Sequence, residues 1–282
     1  MAIFFPISAA LIQAGSMTMD KIVLSIKKVT YKNYMGISFP LIFLFTLIIF
    51  LIFRPELNLH LLKGKYIFFL IAMIALVIIT NLLYYRALKK DLLSEMQTIS
   101  LLRGIPLIIF AAIIFPMERN YLIIALSVIA LIAIIWSHYE HNHFKISKKT
   151  LPFLIWILTL APLTGILNKF ILEIWSPITM QLVTDGIIVL ILTPLFFKDI
   201  KTFPKKGIPL ILLINFLTSI AWILYFFSYQ VSGIIYTVLI FSLQPILVYL
   251  ASLIFLKEKI NYKKLIAFII IIAVIIISQV FK

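Results

Sequence analysis

Two stretches decide the fold: Pro106–Glu118, "PLIIFAAIIFPME", and Pro245–Glu258, "PILVYLASLIFLKE". Each is an apolar run opened by proline and closed by glutamate, and they differ in length by one residue. Each leads into a second apolar run, "NYLIIALSVIALIAIIW" at Asn120–Trp136 and "NYKKLIAFIIIIAVIII" at Asn261–Ile277. Near the start of each half, "MDKIVL" at Met19–Leu24 resembles "LNKFIL" at Leu167–Leu172. Proline, acidic, aromatic and lysine positions thus recur in the same order, about 140 to 148 residues apart. The chain reads as a duplication.

Working outward, the sequence contains ten apolar segments: Ile3–Ile26, Gly36–Phe53, Tyr66–Arg86, Leu93–Phe115, Asn120–Trp136, Leu151–Leu172, Pro177–Phe197, Ile208–Tyr229, Ile234–Leu256 and Tyr262–Phe281. A helix crosses the hydrocarbon core in roughly 20 residues and satisfies its own backbone hydrogen bonds there. Many segments are rich in Ile, Val and Phe, which suit strands in water, but runs of this length favour helices. The expectation is an all-α polytopic membrane protein of ten transmembrane helices. Residues 1–137 form one five-helix unit, 138–150 a hydrophilic linker and 151–282 the second unit. An odd number of spans per repeat turns the halves opposite ways in the membrane, the inverted-repeat plan of alternating-access transporters.

Composition agrees. Of 282 residues, 63% are apolar or aromatic and only 12% are charged, half the share of a soluble domain; the mean hydropathy is +1.17. An ordinary cytosolic enzyme and a disordered chain are excluded. The net charge of +15 would signal nucleic acid in a soluble protein. Here the basic residues sit in short runs between apolar segments, as in a protein that meets lipid headgroups. No nucleic-acid partner is expected. The chain has no cysteine, which excludes thiol catalysis and thiolate metal sites. The N-terminus reads as a retained first span, not a cleaved signal peptide. The loops after spans 1, 3, 5, 7 and 9 hold seventeen Lys and Arg, and the opposite face with the C-terminus holds five. The positive-inside rule then places both termini outside.

The order of short span, "YYRALKK" at Tyr84–Lys90, a span with Pro106, then Glu118 and a further span resembles the EamA-type unit of the drug/metabolite transporter superfamily. Phe241–Ile277 is similar to that family's closing stretch. The resemblance implies ten helices, two inverted five-helix repeats and secondary transport of small metabolites such as amino acids, amines or nucleotide sugars. It also implies cytoplasmic termini, against the lysine count. The sequence departs from the family where a glycine usually follows the acidic residue; Ser127 and Ala267 stand nearby instead.

Six charges lie inside spans: Asp20, Lys21, Glu95, Arg103, Lys169 and Asp185. Such charges cost several kcal/mol and are usually paired or face a cavity. Arg103 is expected to bind an anionic substrate group or to pair with Glu95 or Asp185. Lys21 and Lys169 occupy matching places in the repeat and read either as cavity charges or as snorkelling side chains. Asp20, Glu95 and Asp185 are the groups open to proton coupling. Gln13, Ser16, Asn81, Gln97, Ser100, Asn168, Asn215, Ser242 and Gln244 are candidate cavity-facing polar groups or interhelical glue. Tyr84, Tyr85, Trp222 and Tyr225 could stack on a ring or cage an ammonium, whereas Tyr229 and Tyr236 fit an interfacial belt. The candidate substrate site is therefore Gln13, Asn81, Tyr84, Gln97, Arg103, Asn168, Trp222, Tyr225 and Gln244. Small multidrug carriers of the same superfamily use a glutamate in the first span; Gln13 stands in that region here, which disfavours polycation export.

No enzyme signature, cofactor fingerprint or phosphate loop is present. "HYEHNH" at His138–His143 resembles a metal cluster in composition only, without a second ligand group, so no metal is expected. The reading is a cell-membrane carrier of a small polar organic metabolite, with amino acids or amines favoured, working as a monomer or homodimer. A flippase for a lipid-linked sugar or lipid phosphate is the alternative, and a non-transporting membrane enzyme or subunit the third.

Overall fold

The computed structural model describes residues 3–58, 63–89, 93–137, 150–256 and 260–280; within 93–102 the side chains at 94, 95, 97, 98 and 101 are outside the description. All elements among the described residues are helical. The α-helices are α1 (Phe4–Ser25), α2 (Tyr31–Phe53), α3 (Lys65–Leu88), α4 (Leu93–Leu102), α5 (Gly104–Ile114), α6 (Tyr121–Ser137), α7 (Leu151–Thr159), α8 (Ala161–Leu172), α9 (Pro177–Ile200), α10 (Ile208–Ser232), α11 (Ile234–Phe241), α12 (Gln244–Phe255) and α13 (Tyr262–Val280).

Six helical stretches are long and apolar enough to cross a membrane: Tyr31–Phe53, Lys65–Leu88, Pro177–Ile200, Lys205–Ser232, Ile234–Phe255 and Tyr262–Val280. The bent pair α7–α8 makes a seventh, and α5 and α6 are shorter apolar helices. The expected count of ten is therefore matched by the described residues only in part. The first span, diluted by Gln13, Gly15, Ser16, Thr18, Asp20 and Lys21, does not reach that apolar threshold. Large apolar side chains point outward along these helices; Phe68, Leu190, Leu195 and Ile254 are each exposed over two thirds or more of their surface. Water would not tolerate so continuous an apolar exterior, but a bilayer does.

Three expected continuous spans are broken, each about three residues before a proline. The break at Arg103 precedes Pro106, that at Leu160 precedes Pro162, and that at Ser242–Leu243 precedes Pro245. Proline has no N–H to give the carbonyl four residues back and its ring crowds that carbonyl, so the helix parts at Leu102, near Leu158 and at Phe241. The α7–α8 pair bends by 43° at its break. Pro40 and Pro194 sit inside α2 and α9 without parting them.

Caps set the other ends. Thr30 and Asn33 exchange side-chain and backbone hydrogen bonds in a capping box (3.2 and 2.8 Å), so α2 starts at Tyr31, five residues before the expected Gly36. Ser176 caps α9 through the Thr179 N–H (3.1 Å), with Pro177 in the first turn, where its missing N–H costs nothing.

The largest interfaces join the two halves of the chain. Helix α2 packs along α9, α1 along α10 and α12, α3 along α8, and α6 along α13. The contacts are related by exchange of corresponding helices. The α1–α10 contact is matched by α8–α3, α1–α12 by α8–α5, and α2–α10 by α9–α3; α2–α9 and α6–α13 map onto themselves.

Candidate functional site

A cavity of about 200 Å³ lies between the halves, lined from α1, α2, α3, α4, α5, α7, α8, α9, α10, α11 and α12 and by Arg103 at the α4–α5 break. The breaks and the small residues create the room. At Gly165 an added Cβ would stand 2.7 Å from a Leu107 methyl and 3.3 Å from the Tyr229 hydroxyl, so glycine there lets α8 approach α5 and α10.

Of the expected substrate residues, the structure brings Gln13, Asn81, Tyr84, Arg103, Asn168, Trp222, Tyr225 and Gln244 to this one cavity, together with Asp20 and Asp185. The side chains of Gln97 and Glu95 lie outside the described residues, as do His138–His143. No group of three potential metal ligands occurs among the described residues.

At one end, Asp20 is buried (4% exposed) and accepts a hydrogen bond from the Tyr34 hydroxyl, itself fully buried. The rings of Tyr34, Tyr85 and Tyr84 follow at centroid spacings of 5.3 and 5.2 Å, and Tyr84 meets Phe153 at 5.8 Å. Gln244 Nε2 lies against the Met17 sulfur at 2.8 Å. On α9, Asp185 is equally buried. Gln181 Nε2 reaches both its oxygens (2.9 and 2.8 Å) and Thr46 Oγ1 donates to one of them (3.1 Å). Only neutral donors hold this carboxyl among the described residues.

Arg103 is half-buried at the α4–α5 break and faces the cavity. Among the described residues no carboxylate lies within ion-pair distance of it, so the expected pairing with Asp185 is not made; Asp185 is held by Gln181 and Thr46 instead. Asn168 Oδ1, Thr164 Oγ1 and Thr184 Oγ1 are buried without a hydrogen-bond partner among the described residues, and all three residues line the cavity. Buried polar atoms ordinarily find partners. Three orphans around one cavity mark the place where a polar molecule, or water, completes the structure.

The aromatic face on α10 is present. Trp222 meets Tyr225 edge-on at 5.4 Å and stacks with Phe226 at 5.8 Å; Tyr225 packs on Phe241 at 4.7 Å. Tyr229 is not an interfacial residue. It is 1% exposed, shares a hydrogen bond with the Tyr225 hydroxyl (2.7 Å) and lines the cavity. Tyr236 is buried too, donating to Gln279 Oε1 at 2.7 Å.

Neither Lys21 nor Lys169 lines the cavity. Lys21 Nζ donates to the Leu88 carbonyl (2.7 Å) and Lys169 Nζ to the Tyr229 carbonyl (2.8 Å), each reaching the C-terminal turn of a neighbouring helix, where the macrodipole favours a cation. Ser16, Asn215 and Ser242 bond back to carbonyls of their own helices. Sequence reasoning missed Thr46, Thr164, Gln181 and Thr184. Gln181 had a signal, since it stands one turn before Asp185 on the same face.

The fold and cavity define a helical integral membrane protein with a polar chamber at the junction of its two halves. The EamA-like transporter family model matches residues 149–279. Over that stretch, the second half of the chain, the sequence is similar to the EamA-like transporter family, part of the drug/metabolite transporter superfamily. Nothing among the curated proteins matches the sequence. A solved structure titled only "Crystal structure of protein" is similar over 99% of this chain and 96% of its own, with a TM-score of 0.72 and 13% identity; that likeness concerns the fold alone.

Proposed function

We propose that the protein is a secondary transporter of the cell membrane that carries a small polar organic metabolite, an amino acid or related amine, through the central cavity by alternating access. Ten spans in two inverted five-helix repeats, residues 1–137 and 151–282, rock against each other about the cavity. The exchange of contacts between corresponding helices supports this plan.

The observation that carries the substrate class is the cavity wall. Arg103 offers a guanidinium with no carboxylate against it among the described residues, which suits a substrate carboxylate through two parallel hydrogen bonds. The orphan Asn168 Oδ1 needs a donor, which an ammonium supplies, and the Trp222–Tyr225 face attracts a cation or stacks on a ring. Asp20 and Asp185 are the carboxyls available for proton coupling.

The test is the melting temperature of the detergent-purified protein against amino acids, quaternary amines, nucleotide sugars and isoprenoid phosphates. A ligand that binds the folded state alone adds RT ln(1 + [L]/Kd) to the unfolding free energy, about 2.7 kcal/mol at a hundredfold excess over Kd, and so raises the melting temperature. Amino acids or amines are expected to shift it. A shift with isoprenoid phosphates alone would replace the carrier with a lipid flippase.

A further inference from the structure

The end of the cavity beside Tyr229 and Asn168 is shut by a contact between the two halves. Glu118 stands in the 3-10 turn Pro116–Glu118 that follows α5. Its Oε2 accepts from the backbone N–H groups of Ile234 (2.7 Å) and Ile235 (3.1 Å), the first two residues of α11. Its Oε1 lies 3.6 Å from Lys169 Nζ on α8. Lys169 in turn holds the Tyr229 carbonyl near the end of α10 (2.8 Å). One carboxylate of the first half thus fastens the ends of three helices of the second. A helix N-terminus with a lysine beside it is a good seat for such an anion.

The neighbouring backbone is built around this carboxylate. Gly233 adopts φ +81°, and a Cβ there would stand 2.9 Å from the Glu118 carboxyl carbon. Two spaces flank the contact. Tyr229 and Asn168 line the central cavity. A second pocket of about 270 Å³, nearer the ends of α8 and α10, is lined by Lys169, Leu172, Glu173 and Gln230. The Lys169–Tyr229 contact stands between them. The side chains of Lys169 and Glu118 are 20% and 11% exposed, so water reaches both as the halves part.

We infer that Glu118 and Lys169 form a latch between the halves, closed in this structure, that opens to let the solute pass at this end of the cavity. The inference rests on the transporter reading, and adds to it the groups that must separate. It uses neither Arg103 nor the aromatic wall.

Because the chain has no cysteine, a single cysteine reports access to the cavity. Thr164→Cys is placed on the cavity wall, and sealed vesicles of each orientation are treated with a membrane-impermeant maleimide. With Glu118→Gln or Lys169→Met added, labelling through the face that carries Glu118 is expected to rise severalfold; with Lys169→Arg it stays near the parent rate. Lys169→Met leaves the two backbone hydrogen bonds of Glu118 in place, so it serves where Glu118→Gln fails to fold. An unchanged rate through that face in folded Lys169→Met overturns the latch. Labelling that rises there in the variants, in a protein whose cysteine is never reached from the opposite face, upholds the latch and sinks alternating access.

Discussion

Replacing Tyr34 with Phe removes the hydroxyl that donates to Asp20. Tyr34 is fully buried and Asp20 nearly so. The Tyr34 hydroxyl is the side-chain donor on Asp20 among the described residues. The ring keeps its packing on Tyr85 at 5.3 Å, so the lost apolar burial is negligible and the whole effect falls on the carboxyl. A buried acceptor stripped of its donor costs about 1–3 kcal/mol. Removing both ends should cost less than the sum of the single changes, since Asp20→Asn with Tyr34→Phe leaves no charge to solvate. The expected coupling is about 1.5–3 kcal/mol, the range for a hydrogen bond to a charged group. Unfolding of the four proteins in mixed micelles, titrated with denaturing detergent, measures it. Strict additivity, with coupling below about 0.5 kcal/mol, would refute the view that Tyr34 holds Asp20.

Other outcomes follow from the same wall. Arg103→Gln should abolish transport in proteoliposomes while the melting temperature stays within a few degrees of the parent; unimpaired transport would remove Arg103 from the site. Gly165→Val puts a branched side chain where a Cβ alone is 2.7 Å from Leu107 and 3.3 Å from the Tyr229 hydroxyl. It should weaken ligand-induced stabilisation at least tenfold in apparent Kd, read from melting curves, and full retention would show that α8 does not border the ligand. Ser176→Ala removes the cap of α9 and should cost about 1 kcal/mol in the same detergent titration without changing ligand affinity. A reporter fused after Lys282 decides orientation. An extracytoplasmic signal upholds the lysine distribution; a cytoplasmic one upholds the pattern of the family.

Much of the site was legible because polar residues inside apolar runs are few and expensive. Gln13, Asp20, Asn81, Asn168, Asp185 and Gln244 stood out for that reason, and all six reach the cavity. Lys21 and Lys169 looked the same in sequence, yet their long stems carry the ammonium to the carbonyl end of a neighbouring helix, which no spacing along one helix reveals. Tyr34 lay outside the expected second span because the apolar run begins at Gly36, whereas the Thr30–Asn33 capping box starts the helix earlier. Tyr229 was misplaced by its position near a span end; the Tyr225 hydroxyl draws it inward. The three helix breaks were written in Pro106, Pro162 and Pro245, but Pro40 and Pro194 carry the same letter without breaking anything.

The exchange of partners across the halves has a bearing on how the protein is made. Helix α1 leaves the ribosome well before the helices it packs along, α10 and α12. The same holds for α2 with α9 and α6 with α13. During synthesis the first half therefore waits in the bilayer with Asp20 and Arg103 lacking their final surroundings, and its lasting contacts form only when the second half arrives. Neither half contains a finished core, so the two halves work as complementary parts of one object and not as two domains placed side by side.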